Sequence, residues 1–522
     1  MYGIMAQYEF NFDFATATAA YGHRSMTESK HFMDGGAFIF PHPYIPYMYG
    51  GLLIGSGPYG GPPYGPYTEV AIGVKDTYLS VEEYPNSDTD TVEVRLTSNS
   101  SISGGDPFEW IVGYMAQNDK VTEWMVLYTG YWVKVTTIAQ GAFTQASYKP
   151  FDKWEFTGGF RWNRDSKRYL GKLGFDLDPD GQIIWDWNKL NSAKYRWSEP
   201  TYKFVVSHTP TDDIMTYLQY SRGYRTGNVD FDGNASPPEF LNAYEFGLKT
   251  RWLDNRLQFN TAIYYYDYKN YNRWTAANKC TSDINGDHYC DDIASDPTGP
   301  SAGLPDGQID TWDYDYNVVF VSLSPGGAEQ KGVSVNLTYL LTVDDSFSLN
   351  ATWRKNKYGD YNFQTALLAL YPDADNAYRD FVDESGKEFG TTPIRGNISY
   401  THTFRFNNND TLNASTTLFY NGKGIDQDVD YGEPTHIVMP GRDAYWTGDI
   451  SLTYMSERWL PKGKRWHIRA TVNNFWDEEA LESITYTNDT YLAQNVYPPG
   501  SGVITGTYIL PRSYHISFGI DF

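Results

Sequence analysis

The sequence contains no run approaching the roughly 18–20 apolar residues that a membrane-spanning helix needs, and its mean hydropathy is polar at −0.53. Positive charge is also scarce. Lys and Arg number 41 against 64 Asp and Glu, for a formal net charge of −23. That balance argues against a nucleic-acid partner held by a basic surface. The nine His are scattered, and HExxH, GxSxG and P-loop motifs are all missing, so no catalysis is expected. Met1 to Gln7 has neither a basic n-region nor an apolar h-region. The alternation of Tyr8, Phe10, Phe12 and Phe14 opens the chain inside a strand instead, so its first residue is expected not to be the natural start of a secreted protein.

Aromatic residues, by contrast, are abundant: 45 Tyr, 28 Phe and 16 Trp make up 17% of the chain. They recur in a period of two, which marks strands with one greasy and one wet face. Tyr244, Phe246, Leu248, Thr250 and Trp252 alternate with Glu245, Gly247, Lys249 and Arg251. Leu257, Phe259, Thr261, Ile263 and Tyr265 repeat the pattern after a tight turn at Leu253-Asp254-Asn255. Similar runs are read at 8–14, 16–24, 91–97, 109–116, 142–148, 154–164, 202–208, 215–222, 333–341, 347–357, 394–404, 411–419, 444–454, 466–475 and 514–522. An abundance of lipid-facing aromatics in a polar chain is reconciled by a transmembrane barrel, whose outward residues are diluted one-to-one by lumen residues.

Loop length alternates. Tight connections fall near 14, 150, 210, 254, 343 and 408, with slightly longer ones near 102 and 460. Long ones are expected at 27–88, 117–140, 167–198, 269–328, 359–392, 422–442 and 477–511. Short turns on one rim and long loops on the other are the pattern of an outer-membrane barrel. The expected fold is therefore all-β: an antiparallel transmembrane β-barrel over residues 1–522, with short periplasmic turns and long extracellular loops. About 17 strands are read, although single-chain bacterial barrels have even numbers. The odd count predicts an N-terminally incomplete barrel or a miscount by one.

Tyr514, Ile516, Phe518, Ile520 and Phe522 close the chain on an aromatic. This stretch resembles the assembly signal of bacterial outer-membrane barrels, which implies the barrel-assembly machinery and outer-membrane lipid as partners. Pro238 to Lys249, Arg256 to Lys269, Glu93 to Ser98 and Trp110 to Gly113 resemble, in order, segments of TonB-dependent outer-membrane receptors. Gly223-Tyr224-Arg225-Thr226-Gly227 resembles that family's mid-barrel motif. Val472-Asn473-Asn474-Phe475-Trp476-Asp477 and Pro511-Arg512 resemble its C-terminal motifs. Ser334, after Lys331-Gly332-Val333, stands where the family often has Glu. The resemblance implies a barrel of 22 strands, of which about five, with the signal peptide, TonB box and plug, are not seen here. It implies energised uptake of a scarce solute such as an iron–siderophore complex, with TonB acting only through a plug absent from this chain.

Three loop features are candidate sites. Cys280 and Cys290 lie in a loop exposed to an oxidising exterior, which favours a local disulfide. Between and beside them, Asp283, Asn285, Asp287 and Asp291 present oxygens suited to structural calcium. The EF-hand match is partial, since His288 and Ala294 occupy two of its key positions, and a solvated acidic loop is the other reading. Tyr44, Tyr47, Tyr49, Tyr59, Tyr64 and Tyr67 decorate a Pro/Gly-rich loop. Their faces suit a sugar or an aromatic chelator, or simply one another at the barrel mouth. Trp252, Tyr265, Trp446 and Trp466 are read as interfacial girdle. No other cofactor is expected, and the cargo is left open. Two further readings are a plugless passive channel and, from another class, a secreted or surface glycan-binding β-protein.

Overall fold

A computed structural model of the chain describes residues 2–27, 39–41, 69–71, 82–83, 86–126, 130–173, 176–177, 183–184, 190–231, 233–279, 317–362, 366, 384–390, 392–425, 427–430, 436–439, 441–461, 464–487 and 503–521. Its body is one antiparallel sheet of 17 long strands, to which the two-residue strand Glu82–Glu83 adds a short edge piece. In chain order these are β1 (Tyr2–Asn11), β2 (Ala15–Thr27), β3 (Asn86–Ser98), β4 (Phe108–Val126), β5 (Gly130–Phe151) and β6 (Trp154–Leu173). Next come β7 (Asn191–Thr211), β8 (Ile214–Arg225), β9 (Glu239–Trp252), β10 (Leu257–Lys269), β11 (Gly326–Leu340) and β12 (Asp345–Tyr361). The last are β13 (Ile394–Arg405), β14 (Thr411–Asn421), β15 (Tyr445–Ser456), β16 (Arg465–Asn473) and β17 (Ser513–Asp521). Each strand pairs with the next in sequence, and every pair is antiparallel. All the strands read from the sequence are present. The outermost strands, β1 and β17, run in the same direction, so they cannot pair antiparallel with each other. Among the described residues no ladder joins them.

The two faces of the sheet separate by chemistry. In β9, Tyr244 and Phe246 are about half exposed, at 47% and 50%, while Gly247 between strands is covered. Across the sheet their partners in register are Tyr220 and Leu218 on β8 and Tyr265 and Ile263 on β10. The same apolar face continues through Val333 on β11, Trp353 on β12 and Ile394 on β13. This is the outward face, and its apolar exposure is what a bilayer covers. On β17 it carries Tyr514, Ile516, Phe518 and Ile520, all exposed. Phe522 lies outside the described residues. No helix of the described residues is long and apolar enough to cross a membrane.

The short rim is built as expected. Asp152-Lys153 joins Phe151 to Trp154, and Asp212-Asp213 joins Thr211 to Ile214. Leu253, Asp254 and Asn255 all adopt positive φ, of 56°, 56° and 65°. This tight left-handed run is closed by the Arg256 amide donating to the Leu253 carbonyl at 3.2 Å.

The long rim departs from expectation at two places. Residues 117–140 are not a long loop, because β4 and β5 stay paired out to Val126↔Gly130 and leave only 127–129 between them. Likewise β6 runs to Leu173 and β7 begins at Asn191, so the two ends of the 167–198 loop, nearly half of it, are strand. Beyond the bilayer both faces become polar, which erases the period-two contrast. Thr122, Val133, Val135, Thr136 and Thr137 nevertheless keep a strong strand preference through their β-branched side chains.

Candidate functional site

The lumen-facing positions form a polar and aromatic wall. On β8 the Tyr217 hydroxyl donates to Glu245 Oε1 of β9 at 2.6 Å. Lys249 Nζ stands 5.6 Å from the Tyr217 ring. The register continues the same row into β10, where Tyr264 lies opposite Glu245 and Tyr266 opposite Ala243. The Tyr264 and Tyr266 rings are 4.8 Å apart. Glycines make room for these rings. A Cβ on Gly247 would lie 2.1 Å from Tyr217 Cε1, and one on Gly332 would lie 2.4 Å from the Tyr264 hydroxyl. Gly113 gives way to Phe143 and Gly141 to Arg161 in the same manner. The rings of Tyr217, Tyr264 and Phe143 and the Arg161 guanidinium therefore lie across the neighbouring strand.

Above this wall, the connection from β8 to β9 folds down and is clamped by side chains of β6 and β7. Lys167 Nζ donates to the Gly227 carbonyl at 2.7 Å, and the Tyr195 hydroxyl donates to the Gly233 carbonyl at 2.7 Å. Asn191 Nδ2 and the Tyr169 hydroxyl both donate to the Phe231 carbonyl, at 2.8 and 3.3 Å. The Tyr224 hydroxyl donates to Asp165 Oδ2 at 2.9 Å. At the foot of the clamp Arg225 pairs with Glu239 at 2.9 Å, and Glu239 also accepts the Asn272 amide at 3.1 Å. Gly227 is required here, since a Cβ would meet the Ser236 carbonyl oxygen at 1.8 Å.

A second loop cluster stands on β10–β12. Tyr358 stacks on Phe389 at 4.0 Å and on Tyr361 at 4.1 Å, with Tyr271 against all three. Burial raises the Tyr271 hydroxyl pKa, with the Glu239 carboxylate adding to the effect. Arg273 pairs with Glu384 at 2.9 Å beside it.

The C-terminal motif has a structural job. The Asn474 amide donates to Asp449 Oδ1 at 3.0 Å, and Asn474 Nδ2 donates to the Glu478 and Leu510 carbonyls at 2.9 and 3.2 Å. Asp477 accepts the Arg512 amide at 2.9 Å. Phe475 and Trp476 lie over Gly448, where a Cβ would come within 2.6 Å of the Phe475 ring. The motif thus ties β15, β16 and β17 together at their outer ends.

The loop candidates fall elsewhere. Tyr44, Tyr47, Tyr49, Tyr59, Tyr64 and Tyr67, Cys280 and Cys290, and Asp283, Asn285, Asp287 and Asp291 all lie outside the described residues. Among the described residues, no three His, Cys, Asp or Glu side chains come together to hold a metal. The clamp was not foreseen as a site, although Gly223 to Gly227 had been singled out. That motif supplies Tyr224, Arg225 and Gly227, which are parts of the clamp. Lys167, Tyr169 and Tyr195 carried no local signal.

A family model described as TonB dependent receptor-like, beta-barrel, matches residues 2–475. Among solved structures, the ferric yersiniabactin uptake receptor FyuA of Yersinia pestis is similar, with a TM-score of 0.61 at 13% identity. That match covers 100% of this chain and 61% of FyuA. The ferric preacinetobactin receptor BauA of Acinetobacter baumannii gives 0.56 at 12% identity, covering 100% of this chain and 62% of BauA. The ferripyoverdine receptor of the outer membrane of Pseudomonas aeruginosa gives 0.56 at 14% identity, covering 99% and 55%. At such identities the structural likeness speaks for the fold, and the family match covers most of the sequence. The chain belongs to the TonB-dependent receptor family, as a β-barrel of the bacterial outer membrane and not an enzyme.

Proposed function

We propose that this barrel serves TonB-energised uptake of an iron–siderophore complex. The observation that carries the reading is the lumen row of Tyr217, Glu245, Lys249, Tyr264 and Tyr266, set on the barrel of a receptor family. Hydroxyl, carboxylate and ammonium groups beside flat rings suit a polar chelate with aromatic parts. The solved neighbours are named for ferric yersiniabactin, ferric preacinetobactin and ferripyoverdine. The chain spans 55–62% of the length of these receptors, and the odd strand number and parallel edge strands fit a barrel closed by further strands, with a plug inside it. TonB then acts through that plug, and the barrel-assembly machinery recognises β17. The loop holding Cys280 and Cys290 is proposed to be disulfide-pinned, with calcium on Asp283, Asn285, Asp287 and Asp291. The Tyr44–Tyr67 loop is proposed to contact cargo from outside.

The test is iron-limited growth and uptake of labelled ferric siderophores in the native strain, with and without the gene. Siderophore-specific uptake that stops when the proton-motive force is collapsed is the expected result. Uptake that persists without it would favour a passive channel. Loss of no siderophore in the deletion strain would overturn the cargo class. Reading the DNA upstream of Met1 tests the composition of the barrel separately.

A further inference from the structure

Although the chain carries a net charge of −23, one patch of its outward face is basic. On β6, Arg164 and Arg168 share the face of Phe160 and Trp162. On β7, Lys194 and Arg196 share the face of Tyr202 and Phe204. On β5, Lys134 shares the face of Thr144 and Ala146. The β5–β6 ladder is unshifted from Tyr131↔Leu173 to Tyr148↔Phe156, and the β6–β7 ladder from Asn191↔Gly171 to His208↔Trp154. Unbroken alternation therefore keeps all these cations on the outward side.

Their mutual placement is close. Arg168 lies directly opposite Lys194, and Arg196 lies opposite Ser166, diagonal to both Arg164 and Arg168. Lys134 lies opposite Leu170, diagonal to Arg168. All of them are exposed. Like charges set directly across a ladder repel each other. Among the described residues none of these cations has an ion-pair partner, whereas Lys355 on β12 pairs with Glu388. Among the described residues nothing neutralises that repulsion.

An apolar groove of about 350 Å³ opens on the same face below them. Gly158 and Ala146 floor it, and Thr144, Phe160, Tyr202 and Phe204 wall it. A Cβ on Gly158 would meet nothing nearer than Phe204 Cδ1 at 4.0 Å, so the floor is open space. Four residues separate Phe160 from Arg164, a rise of about 13 Å along the strand. The groove thus sits within the apolar band, and the cations begin just above Trp162 at its outer edge.

We propose that this face of β5–β7 is a binding site for a phosphate-bearing lipid of the outer leaflet. Arg164, Arg168, Lys194 and Arg196 hold the headgroup phosphates, with Lys134 at their margin, and an acyl chain fills the groove over Gly158. Guanidinium groups match phosphate oxygens with paired donors, and a polybasic cluster at a membrane surface attracts anionic lipid. Only a lipid supplies anion and apolar chain at this spacing and depth, whereas a soluble anion leaves the groove unexplained. The site lies on the opposite face of the wall from the lumen, so it is independent of which cargo is carried.

The whole receptor, purified in detergent, is titrated with a bisphosphorylated, acylated glucosamine-disaccharide lipid and read by native mass spectrometry. A one-to-one adduct is expected. Combined Arg164→Gln, Arg168→Gln, Lys194→Gln and Arg196→Gln is expected to weaken it by about tenfold or more. Gly158→Leu is expected to weaken lipid binding while leaving binding of inorganic pyrophosphate unchanged. Equal affinity for the dephosphorylated lipid, or no loss in the combined variant, overturns the proposal. Pyrophosphate binding as tightly as the lipid overturns the acyl groove. If the combined variant does not fold, single Arg164→Gln and Arg196→Gln are each expected to lose about threefold, and Arg164→Lys with Arg196→Lys to retain binding. Unchanged affinity in those singles overturns it equally. Siderophore uptake by the same variants is measured in parallel, and its failure bears on the cargo reading alone.

Discussion

At the short-turn rim, each turn is closed by groups of its own hairpin, and side chains of the adjoining hairpin add to it, as Tyr400 and His402 do at Asp345 and Tyr454 at Asp410. The Thr342 hydroxyl serves the Asp344 and Asp345 amides, both at 3.1 Å, and the Asn409 amide closes on the Phe406 carbonyl at 3.1 Å. The long-loop rim works differently. Its folded β8–β9 connection is held by Lys167, Tyr169, Asn191 and Tyr195, which stand between 38 and 62 positions away in sequence. Local partners close turns that form as soon as the hairpin pairs. Distant partners fix a loop only after β6 to β9 have assembled, so the clamp is the later and more breakable structure.

Gly227→Val breaks the comparison most strongly on the outer side. The new side chain overlaps the Ser236 carbonyl, and a cost of about 2–3 kcal/mol is expected within the loop. Limited proteolysis of 226–238 reads this, with the barrel's heat-modifiable gel mobility unchanged. On the inner side Asp410 is 1% exposed, accepts the Tyr454 hydroxyl and stands 3.5 Å from Arg458. Asp410→Ala orphans that hydroxyl, for an expected loss of about 1–3 kcal/mol seen in the thermal midpoint.

Acid sharpens the same contrast with a smaller effect. The Tyr454 hydrogen bond, aided by Ser456, Asn408 and Arg458, holds the Asp410 carboxyl below its ordinary value, against the opposing pull of burial. A lowered folded pKa stabilises the fold above the ordinary carboxylate value of about 3.9, and that contribution is lost as pH falls through the lowered value. Wild type is therefore expected to lose more thermal stability than Asp410→Asn between neutral pH and about pH 3. Equal losses would remove Asp410 from the account. Smallest of all, Tyr195→Phe deletes one bond to Gly233, and about 1 kcal/mol is expected. Faster amide exchange around Gly233, with no change at the short rim, is its signature.

The difference between the rims also explains what could be read from the sequence. Strands carrying lipid-facing aromatics, such as Tyr244 and Phe246, announce themselves by alternation. Tight turns such as Leu253-Asp254-Asn255 are bounded by that alternation on both sides. The outer halves of β4 and β5 were hidden because both faces there meet water, and only backbone pairing continues. The clamp was hidden because Lys167 and Tyr195 look like ordinary polar positions until β6 and β7 bring them over Gly227. The basic face over β5–β7 escaped notice for a related reason. Arg164, Arg168, Lys194 and Arg196 are dispersed along the sequence and become a cluster only through register.

The glycines beneath the lumen rings have a consequence for passage. With Gly247 under Tyr217 and Gly332 under Tyr264, these aromatic side chains lie flat like tiles against the lumen wall. Any side chain added at either glycine tips a ring upright and narrows the conduit by roughly the height of that ring. Gly247 and Tyr217 therefore behave as one unit, and a change in the first is tolerated only when the second becomes small. The calibre of this receptor is written in its smallest residues.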